Sequence, residues 1–107
     1  MSVTGKDFSL PQFLTGTFTS AGTAVNVSET LPWQPSLVIV LVDIEGINPN
    51  ILIATEGSTT KSLTLTGSTG VVTSPAVASG VDLTTTGFTV ASAVQVNSGK
   101  NAWVAFK

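Results

Sequence analysis

The sequence predicts an all-β chain: an antiparallel β-sandwich with jelly-roll or Greek-key winding and about eight short strands. Three observations carry that prediction. Residues 37–42 form an unbroken apolar run, Leu-Val-Ile-Val-Leu-Val, too short for a membrane span and too β-branched for a comfortable helix. Elsewhere apolar and polar residues alternate over short stretches, separated by Gly, Pro, Asn and Ser clusters at roughly ten-residue spacing. No stretch repeats with the period of a helix. Ser and Thr fill 29 of the 107 positions and Val another 14, an excess that favours strands and tight turns.

Residues 1–14 are irregular, with Pro11 and three large apolar side chains, Phe8, Leu10 and Phe13. They read as an arm that anchors in a neighbour's groove or plugs the domain's own core. Residues 15–107 read as one β domain. Residues 15–20 place Thr15, Thr17 and Thr19 on one face and Phe18 on the other. Residues 24–28 alternate through Val25 and Val27, and the Gly22 connection between the two stretches predicts a hairpin. Pro32 and Pro35 remove two backbone donors and fix two φ angles, so the next strand starts no earlier than Ser36. Trp33, between them, is expected to cap one end of the core.

The run at 37–42 reads as the central strand, covered on both faces. Burial of all six side chains would contribute roughly 9–18 kcal/mol, at about 1.5–3 each. Residues 43–50 are full of turn formers, and 51–55 form a second apolar strand. Residues 56–60 turn the chain. Residues 61–66 alternate, with Leu63 and Leu65 expected inward and Ser62, Thr64 and Thr66 outward. Pro75 demotes residues 71–79 to an edge strand or loop. Residues 81–83 form a brief strand, and 86–91 a strand with Phe88 and Val90 inward. Residues 94–100 begin as a strand and turn at Asn97-Ser98-Gly99. In the closing strand, 101–107, Ala102, Val104 and Phe106 share one face, Trp103 and Ala105 the other. Both sets are apolar, so this strand is also expected in the interior of a sheet.

Composition narrows the function. Charged residues are 9% of the chain and the mean hydropathy is +0.45, which leaves a surface too sparsely charged for a well-dispersed monomer. Burial against other chains is the expectation. A net charge of −2, no Arg and only four Lys argue against nucleic-acid binding. The first residues lack the charged and apolar regions of a signal peptide, and nothing places the chain in a membrane.

The chain has no His, Cys or Tyr, which removes the commonest general base, thiolate metal ligands and two kinds of nucleophile. It is therefore expected not to be an enzyme and to need no cofactor. Asp43 and Glu45 lie two apart, and with Asn48 and Asn50 they offer oxygen ligands to a hard cation such as Ca²⁺. A solvated turn after a buried strand explains the same residues, so no metal is expected. Lys61 and Ser62 are adjacent, hence on opposite faces of a strand, and are discounted as a dyad. Trp33 and Trp103 offer ring faces to a sugar, but core or interface packing is the favoured reading.

Two segments together resemble a known family. The first runs from Phe18 to Val38, F-T-S-A-G-T-A-V-N-V-S-E-T-L-P-W-Q-P-S-L-V, with Trp33-Gln34-Pro35 as an aromatic-x-Pro turn before the apolar strand. The second joins Gly87-Phe88-Thr89-Val90, then Val96-Asn97 with Gly99, then Trp103-Val104-Ala105-Phe106. They are similar to the opening and closing parts of the small β-sandwich domains of tailed-bacteriophage virion proteins. The resemblance carries no catalytic residues. It implies a capsid decoration (cement) protein on the virion exterior, made in the bacterial host cytoplasm. Its partners would be itself, as a homo-oligomer and by family habit a trimer, and the major capsid protein. Phe8, Leu10, Phe13, Trp33 and Trp103 are the candidate interaction residues. A tail or baseplate component with a carbohydrate- or receptor-binding role is the alternative.

Overall fold

The protein is described from a computed structural model covering residues 12–20, 26–47, 49–58, 60–95 and 99–107. Among these residues, nine strands form two antiparallel sheets, with no α-helix. The strands are β1 (Phe13–Thr19), β2 (Val27–Thr30), β3 (Leu37–Val42), β4 (Asn50–Thr55), β5 (Leu63–Leu65), β6 (Val72–Thr73), β7 (Val81–Thr84), β8 (Gly87–Val90) and β9 (Lys100–Phe106). The larger sheet runs β1-β9-β3-β4-β5-β6 and the smaller β2-β8-β7. Packed face to face they make the β-sandwich that the alternation predicts.

The closing strand is interior, as its two apolar faces predict. β9 pairs with β1 over seven residues, from Phe13↔Phe106 to Thr19↔Lys100, and with β3 over five. The edge strand expected around Pro75 is β6, only two residues long, followed by a 3₁₀ turn at Val77–Ser79.

Between the sheets lie Val38, Val40 and Val42 of β3, Leu52 and Ala54 of β4, Val81 of β7, Phe88 and Val90 of β8 and Ala105 of β9, with Leu31 and Trp33 from the connector. Leu14, Phe18 and Trp103 pack against them, and the Trp103 and Phe88 rings meet edge to face at 5.2 Å. Gly16 sits opposite Trp103 in the register, where a Cβ would run into the indole. Gly87 has φ +154°, and a Cβ there would run into the Glu29 carbonyl of the neighbouring strand. Both glycines make room for a close approach that a side chain would block.

A buried amide ties three strands together at one end. Asn101 is fully buried; its Oδ1 accepts the Asp43 N–H at 2.9 Å, and its Nδ2 donates to the Ser20 hydroxyl at 3.0 Å. Asp43 follows β3 with φ 59°, a left-handed conformation that Asp tolerates better than most residues. The bond to Asn101 helps hold it there.

Four expectations are corrected. The hairpin between residues 15–20 and 24–28 does not form, because β1 joins β9 in one sheet and β2 joins β8 in the other. Alternation marks a strand but carries no information on its partner. The central strand is not covered on both faces. Val38, Val40 and Val42 are fully buried, whereas Leu37 and Ile39 are half-buried and Leu41 is 39% exposed. The smaller sheet covers one side of the larger, so within one chain only three of the six side chains contribute fully, about 5–9 kcal/mol. The faces of β5 are the reverse of those expected. Ser62 and Thr64 are buried, while Leu63 is 45% exposed. Register decides this: Thr64 pairs with inward Leu52, and Leu63 with outward Ile53. Finally, Val94 does not open a strand but closes a 3₁₀ turn, Ser92–Val94. Its expected continuation through Val96 and Asn97 lies outside the described residues.

Residues 1–11, including Phe8 and Leu10, also lie outside them. Phe13 and Leu14, expected at the end of the arm, are the first residues of β1.

Two outcomes follow from these placements. Val40→Asp puts an unpaired charge between the sheets and should abolish cooperative unfolding, read by circular dichroism on heating; a folded, cooperatively melting variant would refute the placement. Glu29, opposite Phe88 on the inward face of β2, has its pKa raised above the usual 4.5 by burial. The native state thus holds this proton more tightly than the unfolded state. Its contribution to stability falls as pH rises through the raised pKa and is fully unfavourable above it. Glu29→Gln should raise Tm at neutral pH, with the gain closing as pH drops below 4.5. An equal gain at both pH values would show that the carboxylate's charge is not the cause.

Candidate functional site

The two outward faces of the sandwich differ in kind. On the smaller sheet, strand alternation turns Ser28, Thr30, Asp82, Thr84 and Thr89 outward, and the Ser28 and Thr89 hydroxyls are 2.9 Å apart. That face is polar throughout, as expected of a solvated sheet.

The larger sheet turns an apolar surface outward. Register aligns its side chains in three rows across the strands. The first is Phe13, Phe106, Leu37 and Thr55. The second is Thr15, Val104, Ile39, Ile53 and Leu63. The third is Thr17, Ala102, Leu41, Ile51, Leu65 and Val72. None of these residues is charged. Phe13 is 55% exposed and its ring lies 6.2 Å from that of Phe106.

Relief across this surface is uneven. Over β1 and β9 the outward side chains include Thr15, Thr17 and Ala102, and a hollow of about 410 Å³ opens there, bordered by Ile39, Leu41 and Val104. Over β4 and β5 the outward side chains are the larger Ile51, Ile53, Leu63 and Leu65, with a smaller hollow of about 240 Å³ at their margin between Ile53, Thr55, Lys61 and Leu63. β3 runs between the larger hollow and these bulkier side chains.

The acidic turn after β3 does not gather its oxygens. The Glu45 carboxylate pairs with Lys100 at 2.9 Å, with both side chains exposed. The Asn50 side-chain Oδ1 accepts the Gly67 N–H at 3.0 Å. The Asp43 carboxylate lies against Gly46, and Asn48 is outside the described residues. Among the described residues no three His, Cys, Asp or Glu side chains group together. The tip of this loop presents Ile47, 96% exposed, beside half-exposed Ile44.

Of the five candidate interaction residues, Phe8 and Leu10 lie outside the described residues, and of the other three Phe13 alone is on an outward face. Trp33 is buried, and Trp103 packs between Gly16 and Phe88 on the inward side of β9. Both indole N–H groups are buried without a hydrogen-bond partner among the described residues. The apolar face is not among the residues singled out from the sequence. Its signal lies in the alternation of 61–66 and in the doubly apolar strands 37–42 and 101–107, whose apolar residues alternation alone places in a covered core.

Comparison of the chain with protein-family profiles, with curated proteins and with solved structures finds no match in any of the three.

Because Glu45 and Asn50 already have partners, adding EDTA or Ca²⁺ should leave Tm unchanged. A fall in Tm on chelation, reversed by Ca²⁺, would mean that this loop closes on a cation that stabilises the native state.

Proposed function

We propose that this protein is a non-enzymatic structural component of a tailed-bacteriophage virion, a capsid decoration protein that associates with its own copies and with the major capsid protein. One observation supports the assembly role above all others: the outward face of the six-stranded sheet carries three largely apolar, uncharged rows with charge only at its margins, while the opposite outward face is polar. A surface of this kind marks an interaction site rather than a solvated face. The low charge content and the absence of His, Cys and Tyr from the sequence agree with a role based on burial rather than chemistry. The virion setting is supported by the resemblance of the Phe18–Val38 and Gly87–Phe106 segments to phage virion domains.

In this reading the mechanism is mechanical. Copies joined to one another, each also attached to a capsid subunit, span a seam. Both contacts must be lost before the seam opens. Residues 1–11, with Phe8 and Leu10, would supply the capsid contact, together with exposed Ile47 at the β3–β4 loop tip. The tail or baseplate alternative loses its proposed sugar-stacking residues, since Trp33 and Trp103 pack toward the core.

The test is a reconstruction of the intact particle by electron cryo-microscopy, with particles lacking the protein for comparison. Regular copies over the capsid lattice are expected, and stripped particles should burst at lower temperature. Deleting residues 1–11, which spares β1, should leave the domain folded but weaken capsid attachment at least tenfold, about 1.4 kcal/mol. Copies confined to the tail tip, or none in the particle, would overturn the reading.

A further inference from the structure

We propose that the apolar outward face of the six-stranded sheet is a homodimer interface, in which a second copy packs face to face across a two-fold axis running along β3. The inference deepens the assembly role by naming the surface and the partner, and it rests on relief, charge and size.

Relief comes first. β3 is third in the order β1-β9-β3-β4-β5-β6, with the larger hollow on one side and the bulkier side chains of β4 and β5 on the other. A half-turn about an axis lying between two such faces and parallel to β3 lays each copy's bulkier side chains over its partner's larger hollow. Residue by residue, large then meets small. In the second row Ile53 faces Val104 of the other copy, and Leu63 faces Thr15. In the third, Ile51 faces Ala102 and Leu65 faces Thr17. In the first, bulky Phe106 faces Thr55, and Phe13 comes over Lys61, whose alkyl stem lies beside Thr55 and Leu63 at the β5 margin. Ile39 and Leu41, on the axis, meet their own counterparts. Two copies of one sheet also share the same twist, which is what aligned sheet packing at about 10 Å requires.

Charge points the same way. In a two-fold contact each group near the axis meets its own copy, so a charge there would repel itself. The three rows contain none. Lys100, at the end of β9, pairs with Glu45 at one rim, and Lys61, two residues before Leu63, stands at the β5 margin, away from the axis and so away from its own copy. Discrimination among unlike proteins relies on charged and polar patterning, which this face lacks. Its best-matched surface is itself.

Size is adequate. Five strand spacings of about 4.8 Å by roughly 17 Å of strand give a flat footprint of about 400 Å² per copy. With side-chain relief, two copies bury on the order of 1,000 Å², where specific interfaces begin.

Light scattering on the purified full chain at about 100 µM should give twice the 10.9 kDa chain mass. Ile39→Lys should give a cooperatively melting monomer, its dissociation midpoint raised at least ~100-fold, while Thr30→Lys on the polar face should remain a dimer. Should Ile39→Lys fail to fold, cross-linking decides, since the chain has no Cys and each introduced thiol is the only one. Leu41→Cys should link copies through a short thiol cross-linker, and Thr30→Cys should not. A mixture of Ile53→Cys and Val104→Cys chains should link better than either alone. A monomeric wild type, a trimer, a folded Ile39→Lys variant that stays dimeric, or equal linking through Thr30→Cys would each overturn the proposal. So would a face protected only when a different protein is added. Failure to find the protein in virions would remove the virion reading and leave the dimer standing.

Discussion

The double pairing of β9 is the constraint on which the rest of this structure depends. Inserted between β1 and β3, it joins the first strand of the domain to the central one through two antiparallel ladders. Strand side chains alternate with a period of two, so one pairing sets which face of each neighbour looks inward. Val40 opposite Trp103 puts the valines of β3 inside; Leu52 opposite Val40 then sets β4, and Thr64 opposite Leu52 sets β5. A phase fixed at β9 thus reaches the far side of the sheet. Asn101 secures it by holding Asp43 and Ser20 at the ends of the flanking segments.

Carried across six strands, that phase has a cost in polar burial. It turns Ser62 and Thr64 inward, and their hydroxyls have no hydrogen-bond partner among the described residues. It also turns Leu63 and Leu65 toward solvent. Burying unpaired hydroxyls while exposing leucines is unfavourable on both sides for an isolated chain. The arrangement becomes favourable once another apolar surface covers Leu63 and its neighbours. In the dimer proposed above, Leu63 and Leu65 would be covered in this way.

Charge is confined to the margins of that surface. Lys100 pairs with Glu45 at one rim, Lys61 stands beside Leu63 at another, Asp82 lies on the polar face of the smaller sheet, and Glu29 points inward on an edge strand. An inward carboxylate on an edge strand also discourages pairing with a foreign strand. Stray association through the small sheet is thus opposed, while association through the large one is left open. A chain with so few charges can still assemble in one way rather than many when its few charges are placed so.

The sequence by itself determined the strands: the run Leu37–Val42, the alternation around Phe88 and Val90, the shortening at Pro75 and the interior character of the doubly apolar closing strand. These are properties of consecutive residues, and the period of two expresses them directly. It also carried the imbalance between hydropathy and charge. The tertiary structure alone decided partnership and sidedness. Residues 15–20 and 24–28 alternate like a hairpin, yet β1 finds its partner more than eighty residues away in β9, and β2, from Val27 on, about sixty away in β8. Leu63 and Leu65 alternate with Ser62 and Thr64, and no local rule says which pair faces the core; a register transmitted from β9 through β3 and β4 does. For the same reason the central run could be recognised as apolar on both faces, but not as covered by its own chain on only one. Coverage is a matter of counting layers, and three strands can lie over only one side of six.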